Sequence, residues 1–165
     1  MVKNWSCFHL PHGKKGLDVD KWRQVCVRKN VSQTKECMDQ PLHVLLDAAC
    51  TQRDASRELI DALAAVQNVD VNEAEAWADQ LRKEAASPQS DRRIQVMALV
   101  GFVCLANAPL AMGLVDASLF DMLASLTNAS SNEIETCAMA HLLSEGASHT
   151  ALRSKLATRP SIEHW

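Results

Sequence analysis

Apolar positions recur at helical spacing along most of this chain. From Leu42 the stripe is Leu42, Leu45, Leu46, Ala49 and Cys50, and after a polar break at Thr51 to Asp54 it resumes as Leu59, Ile60, Leu63 and Val66. Spacings of three and four place each set on one helix face. Asp70 and Glu73 stand three apart, as in a capping box, before Val71 to Ala86, whose face carries Ala74, Trp77, Ala78 and Leu81. Ser90 is the expected cap of the longest helix, Asp91 to Ala108. Val96 to Ala106 within it is apolar on nearly every side, which predicts a central, buried helix. Pro109 ends that helix and opens a short one to Val115.

The rhythm continues to the end. Ser118 is the expected cap of a helix with Leu119, Met122, Leu123 and Leu126 on one side and Asn128 as a left-handed stop. Ser131 or Asn132 caps the next. Its expected core stripe is Ile134, Cys137, Ala138, His141 and Leu142, and Gly146 is its expected stop. Ser148 to Ala157 gives a last helix, and Pro160 argues against its continuation. Before Leu42 the pattern is weaker. Val19 to Arg28 has one short stripe (Val19, Trp22, Val25, Cys26), Thr34 to Gln40 reads as a further turn, and Pro11, Gly13 and Gly16 interrupt residues 1–18. The expected organisation is an irregular basic arm over 1–40, a helical domain over 41–157 and a tail over 158–165.

"IQVMALVGFVCLANA", "PLAMGLVDASLFDMLASLTNA", "SNEIETCAMAHLLSEGAS" and "TALRSKLA" follow one another, with Ile94 and Ile134 40 residues apart. The stretch from Asp91 to Leu156 resembles armadillo and related HEAT-type repeats, in which short and long helices recur in units of about 40 residues. The resemblance implies a short all-α solenoid, with residues 42–86 as an earlier unit. It also implies partner binding over a helical surface. Ala117 stands where the family has a glycine between its first two helices. The concave-face asparagine of peptide-carrying members is not recognisable, so that activity is not carried over.

Composition supports helix over sheet: alanine and leucine dominate, and there are three Phe and no Tyr. The net charge of −3 is uneven. Residues 1–40 carry eight Lys or Arg against four Asp or Glu, and residues 41–165 carry nine against sixteen. A +4 arm on a −7 body suits an acidic partner surface or its own body. RNA is a weaker reading, because no aromatic residues interleave a basic stripe in the body. Trp5, Phe8, Lys14, Lys15 and Trp22 in the arm, with Trp165 in the tail, are the expected partner anchors, since exposed aromatic and basic side chains dominate such contacts. No segment reads as a membrane span or a secretory signal, so an intracellular chain is expected, cytoplasmic with mitochondrial placement as the alternative. The Asn-x-Ser triplets at Asn4, Asn30 and Asn128 therefore carry no expected glycan.

Cysteine and histidine supply the candidate chemistry. Cys7, His9, His12 and Cys26 could close a zinc tetrahedron, with Cys37 and His43 nearby, but their spacing matches no standard finger. Cys26, Cys37 and Cys50 could pair as disulfides in an oxidising compartment, although reduced thiols fit an intracellular chain better. Cys104 and Cys137 lie inside apolar helix patterns and are expected to be buried. Cys137 and His141 are helix neighbours, but a core-facing thiol is inert, so no enzyme is expected from them. No phosphate loop, paired-carboxylate cradle or nucleophile elbow occurs, and no cofactor is expected. The expected function is a non-enzymatic scaffold or structural subunit binding other proteins of a larger complex. A zinc- or disulfide-stabilised binding module in the first 50 residues is the alternative.

Overall fold

The computed structural model describes residues 42–50, 53–66, 69–163 and 165. These residues form eight helices and turns, with no β-strand among them. The helices are α1 Leu42–Cys50, α2 Arg53–Ala65, α3 Val71–Ala85, α4 Ser90–Ala106, α5 Ala108–Asp116, α6 Leu119–Asn128, α7 Glu133–Ala147 and α8 Thr150–Leu156.

The 17-residue α4 is the central element, as its all-round apolar pattern predicts. It packs against α1, α2, α3, α5 and α7. Val96, Met97, Leu99, Val100, Val103 and Cys104 are all buried on it. Each large side chain of that kind contributes about 1.5–3 kcal/mol on leaving water. Around α4, besides the contacts between chain neighbours, α3 meets both α5 and α6, and α5 meets α8. Trp77 on α3 is buried with Ala74, Ala78 and Leu81, so that stripe faces the core as predicted.

Helix ends follow the sequence in some places and depart from it in others. Asp70 and Glu73 do form the capping box: Asn72 N donates to Asp70 Oδ1 at 3.1 Å, and Asp70 N donates to Glu73 Oε2 at 3.4 Å. Asn132 caps α7, its side chain accepting from Ile134 N at 2.9 Å. Ser90 does not cap α4. It is the first helical residue, and Gln89 precedes it without a side-chain cap bond. Asn128 is no left-handed stop either. It ends α6, and Ala129 continues in right-handed geometry, donating back to Ser125 O. The last helix is shorter than Ser148 to Ala157, starting after an uncapped His149.

Ser118 precedes α6 but makes no capping bond, because its backbone is left-handed, with φ 61°. It is the one non-glycine residue with positive φ among those described. A left-handed residue turns α5 sharply into α6, and such a conformation persists when neighbours over-determine it. Two guanidinium groups do so here. Arg82 on α3 donates to Ala117 O, and Arg159 beyond α8 donates to Val115 O at 2.9 Å.

Gly146, the expected stop of α7, lies inside that helix and is buried. The packing of α8 explains it, because an added Cβ would meet Leu156 Cδ1 at 2.8 Å. Gly113 serves the same end where α5 meets α3: its Cβ would lie 2.7 Å from Ala74 Cβ. At Gly101 on α4 nothing lies within 4 Å of an added Cβ. Opposite outcomes follow for chemically identical changes. Gly101→Ala is expected to stabilise by about 0.5–1 kcal/mol through helix propensity. Gly113→Ala is expected to destabilise by about 1–3 kcal/mol, since Ala74 Cβ is rigidly placed. Gly146→Ala should cost less than Gly113→Ala, because a leucine tip can swing aside. Urea unfolding of the three variants checks the order.

Candidate functional site

The exposed edge of α7 carries Ile134, one of four large apolar side chains left exposed among the described residues, with Val71, Leu105 and Trp165. Buried on this helix are Glu135, Ala138, Met139, Leu142 and Gly146. The expected core stripe was Ile134, Cys137, Ala138, His141 and Leu142. The helix is rotated from that expectation. Ile134 is 54% exposed, Cys137 is exposed and His141 is half-buried. The cause is Glu135. Its carboxylate is fully buried and accepts from Arg93 Nη2 on α4 at 2.8 Å, while Arg93 Nη1 donates to Ser87 O at 3.0 Å. A buried carboxylate is tolerated only where a partner compensates it, and the geometry that satisfies Glu135 turns Ile134 and Cys137 outward.

Ile94 and Met97 on α4 are buried, whereas Ile134 and Cys137, forty residues later on α7, are exposed. α7 covers α4 on one side, and no described helix covers α7 in the same way. The bare edge therefore presents Ile134, Cys137 and His141 in one row. Its chemistry is apolar and weakly polar. His141 Nε2 lies 3.7 Å from Glu145 Oε1, a separation for an ion pair only when the imidazole is protonated.

Cys104 behaves oppositely. It is fully buried, and burial first and the Glu145 charge second push its thiol from 9.0 up to about 12. Its raised value also sets a sign. Above pH 9 the unfolded thiol loses a proton that the folded one keeps, so the fold loses stability as pH climbs from about 9 toward about 12. Alkylation of the native protein at mildly alkaline pH is expected to modify Cys137 and to spare Cys104 until the chain unfolds. Native-state modification of Cys104 as fast as that of Cys137 would contradict its placement.

The remaining sequence candidates divide cleanly. Trp5, Phe8, Lys14, Lys15 and Trp22, the proposed anchors of the arm, lie outside the described residues, as do Cys7, His9, His12, Cys26 and Cys37. His43 lies in α1, but its side chain is outside the description. Trp165 is described and is 38% exposed, its N–H donating to Ile162 O at 3.0 Å. Among the described residues no three His, Cys, Asp or Glu side chains gather to hold a metal ion. No single described helix is long and apolar enough to cross a membrane. The pair α5 and α6 passes by composition, but its axes bend by 67°. Both helices bury their apolar faces, including Leu110, Leu114, Leu119, Phe120 and Leu123, in the core.

Sequence reasoning missed three residues: Asn107 and the pair Arg93 and Glu135. Asn107 sits between α4 and α5, is buried, and donates to Leu63 O at 3.1 Å and Val66 O at 2.8 Å while accepting from Leu110 N at 3.0 Å. Its position just before Pro109 was the available signal, since asparagine favours helix starts. Arg93 and Glu135 left no such signal, because charged residues in the first turns of two helices are ordinary on exposed faces.

No family model matches the chain, and no curated protein or solved structure matches it either.

Proposed function

We propose that this chain is a non-enzymatic structural subunit of a larger protein assembly, a short α-solenoid of armadillo or HEAT type. The reading is supported by contacts that step from α1 to α4 to α7, from α3 to α6 and from α5 to α8, while α2 packs on α4. Solenoid units bury their faces by stacking, and an uncovered terminal unit needs a cap. The single observation that carries the proposal is the change at one register position: Ile94 is 7% exposed on α4 and Ile134 is 54% exposed on α7. The α7 edge is thus a position where a further helix fits, and a partner protein would supply it. The basic arm over residues 1–40, with Trp5, Phe8 and Trp22, would add a second contact, and Trp165 a third.

Ile134→Glu tests this reading, because the side chain is exposed and its loss leaves the core intact. Native-size separation and cross-linking of the full chain in its own extract are expected to show a hetero-complex with cross-links to α7. The variant is expected to leave that complex while melting at the same temperature. A chain that migrates as a lone monomer, with and without the substitution, would end the proposal.

A further inference from the structure

Residues 157–163 leave α8 and fold in turns against the corner between α5 and α6. Thr158 N donates to Lys155 O at 3.3 Å, Arg159 N to Leu156 O at 3.0 Å and Ile162 N to Arg159 O at 3.0 Å. Two side chains strap this segment down. Arg159 Nη1 donates to Asp121 Oδ2 at 3.2 Å and Nη2 to Val115 O at 2.9 Å. The Ser161 hydroxyl donates to the other oxygen of the same Asp121 carboxylate. Ile162 packs against the core beneath them. Asp121 therefore holds the strap through both of its oxygens, across about forty residues of sequence.

Ser161 differs from the other described serines with hydrogen-bonded side chains. Ser125, Ser148 and Ser154 donate to backbone carbonyls three or four residues before them. The hydroxyls of Ser87 and Ser130 accept from backbone N–H groups two residues on. Ser161 alone among these bonds a carboxylate, and it lies outside every helix, half-buried between Pro160 and Ile162. Its contact consists of one proton, which a phosphate ester would no longer carry.

We infer that Ser161 is a modification switch: a phosphoryl group on its hydroxyl releases the strap from the α5–α6 corner. A protein kinase with ATP would make the modification. The Ser161 oxygen bonds the γ-phosphorus, the bond to the bridging oxygen breaks, the hydroxyl proton passes to the kinase's base, and ADP departs. Phosphoserine carries about −1.5 to −2 charges at neutral pH. It would face the Asp121 carboxylate with no hydrogen to donate. Arg159, two residues away, is drawn to the phosphate and gives up Asp121 and Val115 O. Both oxygens of Asp121 lose their partners, and of the two carboxylates at the corner only Asp116 keeps a cation, Lys155. The switch stands independently of the assembly reading above.

The test is hydrogen exchange of the full chain carrying phosphoserine incorporated at position 161 during synthesis. Exchange of the 158–163 amides is expected to accelerate about tenfold or more, while Ser161→Ala accelerates it by no more than about threefold. Ser161→Glu is expected to behave like phosphoserine. Adding Asp121→Asn is expected to return it near the unmodified rate, because the amide can donate to the new carboxylate. Unchanged exchange with phosphoserine would overturn the switch. So would equal acceleration by alanine, or a Ser161→Glu effect that persists with Asp121→Asn.

Discussion

Arg93→Met is expected to destabilise the protein by about 3–5 kcal/mol, the usual consequence of leaving one charge of a buried pair without its partner. Glu135 has no exposed surface and Arg93 only 17%, so water cannot replace the lost guanidinium. The same substitution also removes the donor to Ser87 O, which ties α4 to the turn before it. Glu135→Leu should cost less, because Arg93 lies nearer the surface. The double variant Arg93→Met with Glu135→Leu is the decisive one. Replacing both members of a buried pair by apolar groups of similar volume is often neutral or stabilising. Urea unfolding should therefore show strong recovery in the double variant relative to Arg93→Met. A single-variant cost below about 1 kcal/mol would mean that the pair is solvated in solution. The pair joins α4 to α7, so its loss should also loosen the α7 edge on which Ile134 is displayed.

The second large effect is at Asn107. Its side chain makes three hydrogen bonds in a site only 6% exposed, and they reach the end of α2 as well as the start of α5. Asn107→Ala removes two donors and one acceptor at once. Leu63 O keeps the bond from Val66 N at 3.2 Å, but Leu110 N loses its side-chain acceptor. A loss of about 2–4 kcal/mol is expected, since each orphaned buried polar group costs about 1–3 kcal/mol and partial relaxation offsets some of it. Asn107→Asp separates the roles. Aspartate keeps the acceptor for Leu110 N but sets a carboxylate against the carbonyls of Leu63 and Val66. It is expected to destabilise at least as much as alanine at neutral pH. An aspartate variant as stable as the wild type would show that the two donations contribute nothing.

Particular elements show how much was legible beforehand. The central burial of α4, the core position of Trp77, the Asp70–Glu73 capping box and the cap at Asn132 each follow from residues within one turn or one stripe. Stops assigned from single residue types failed at Gly146 and Asn128. In the first case glycine serves a close approach of α8 rather than a left-handed turn. The left-handed position fell on Ser118, where two distant arginines hold the corner. The α7 edge was misread by a small rotation, and that rotation moved Cys137 from the expected core to the surface.

What the amino-acid order determined by itself is the helical character of the described chain and the placement of its strongest stripes. Those properties arise from interactions spanning three or four residues. Which face of α7 is covered, where α5 turns into α6 and how residues 158–163 are held were decided only in three dimensions. Each depends on a charge or an amide finding its partner about forty residues away, and such pairings leave no periodic trace in the sequence.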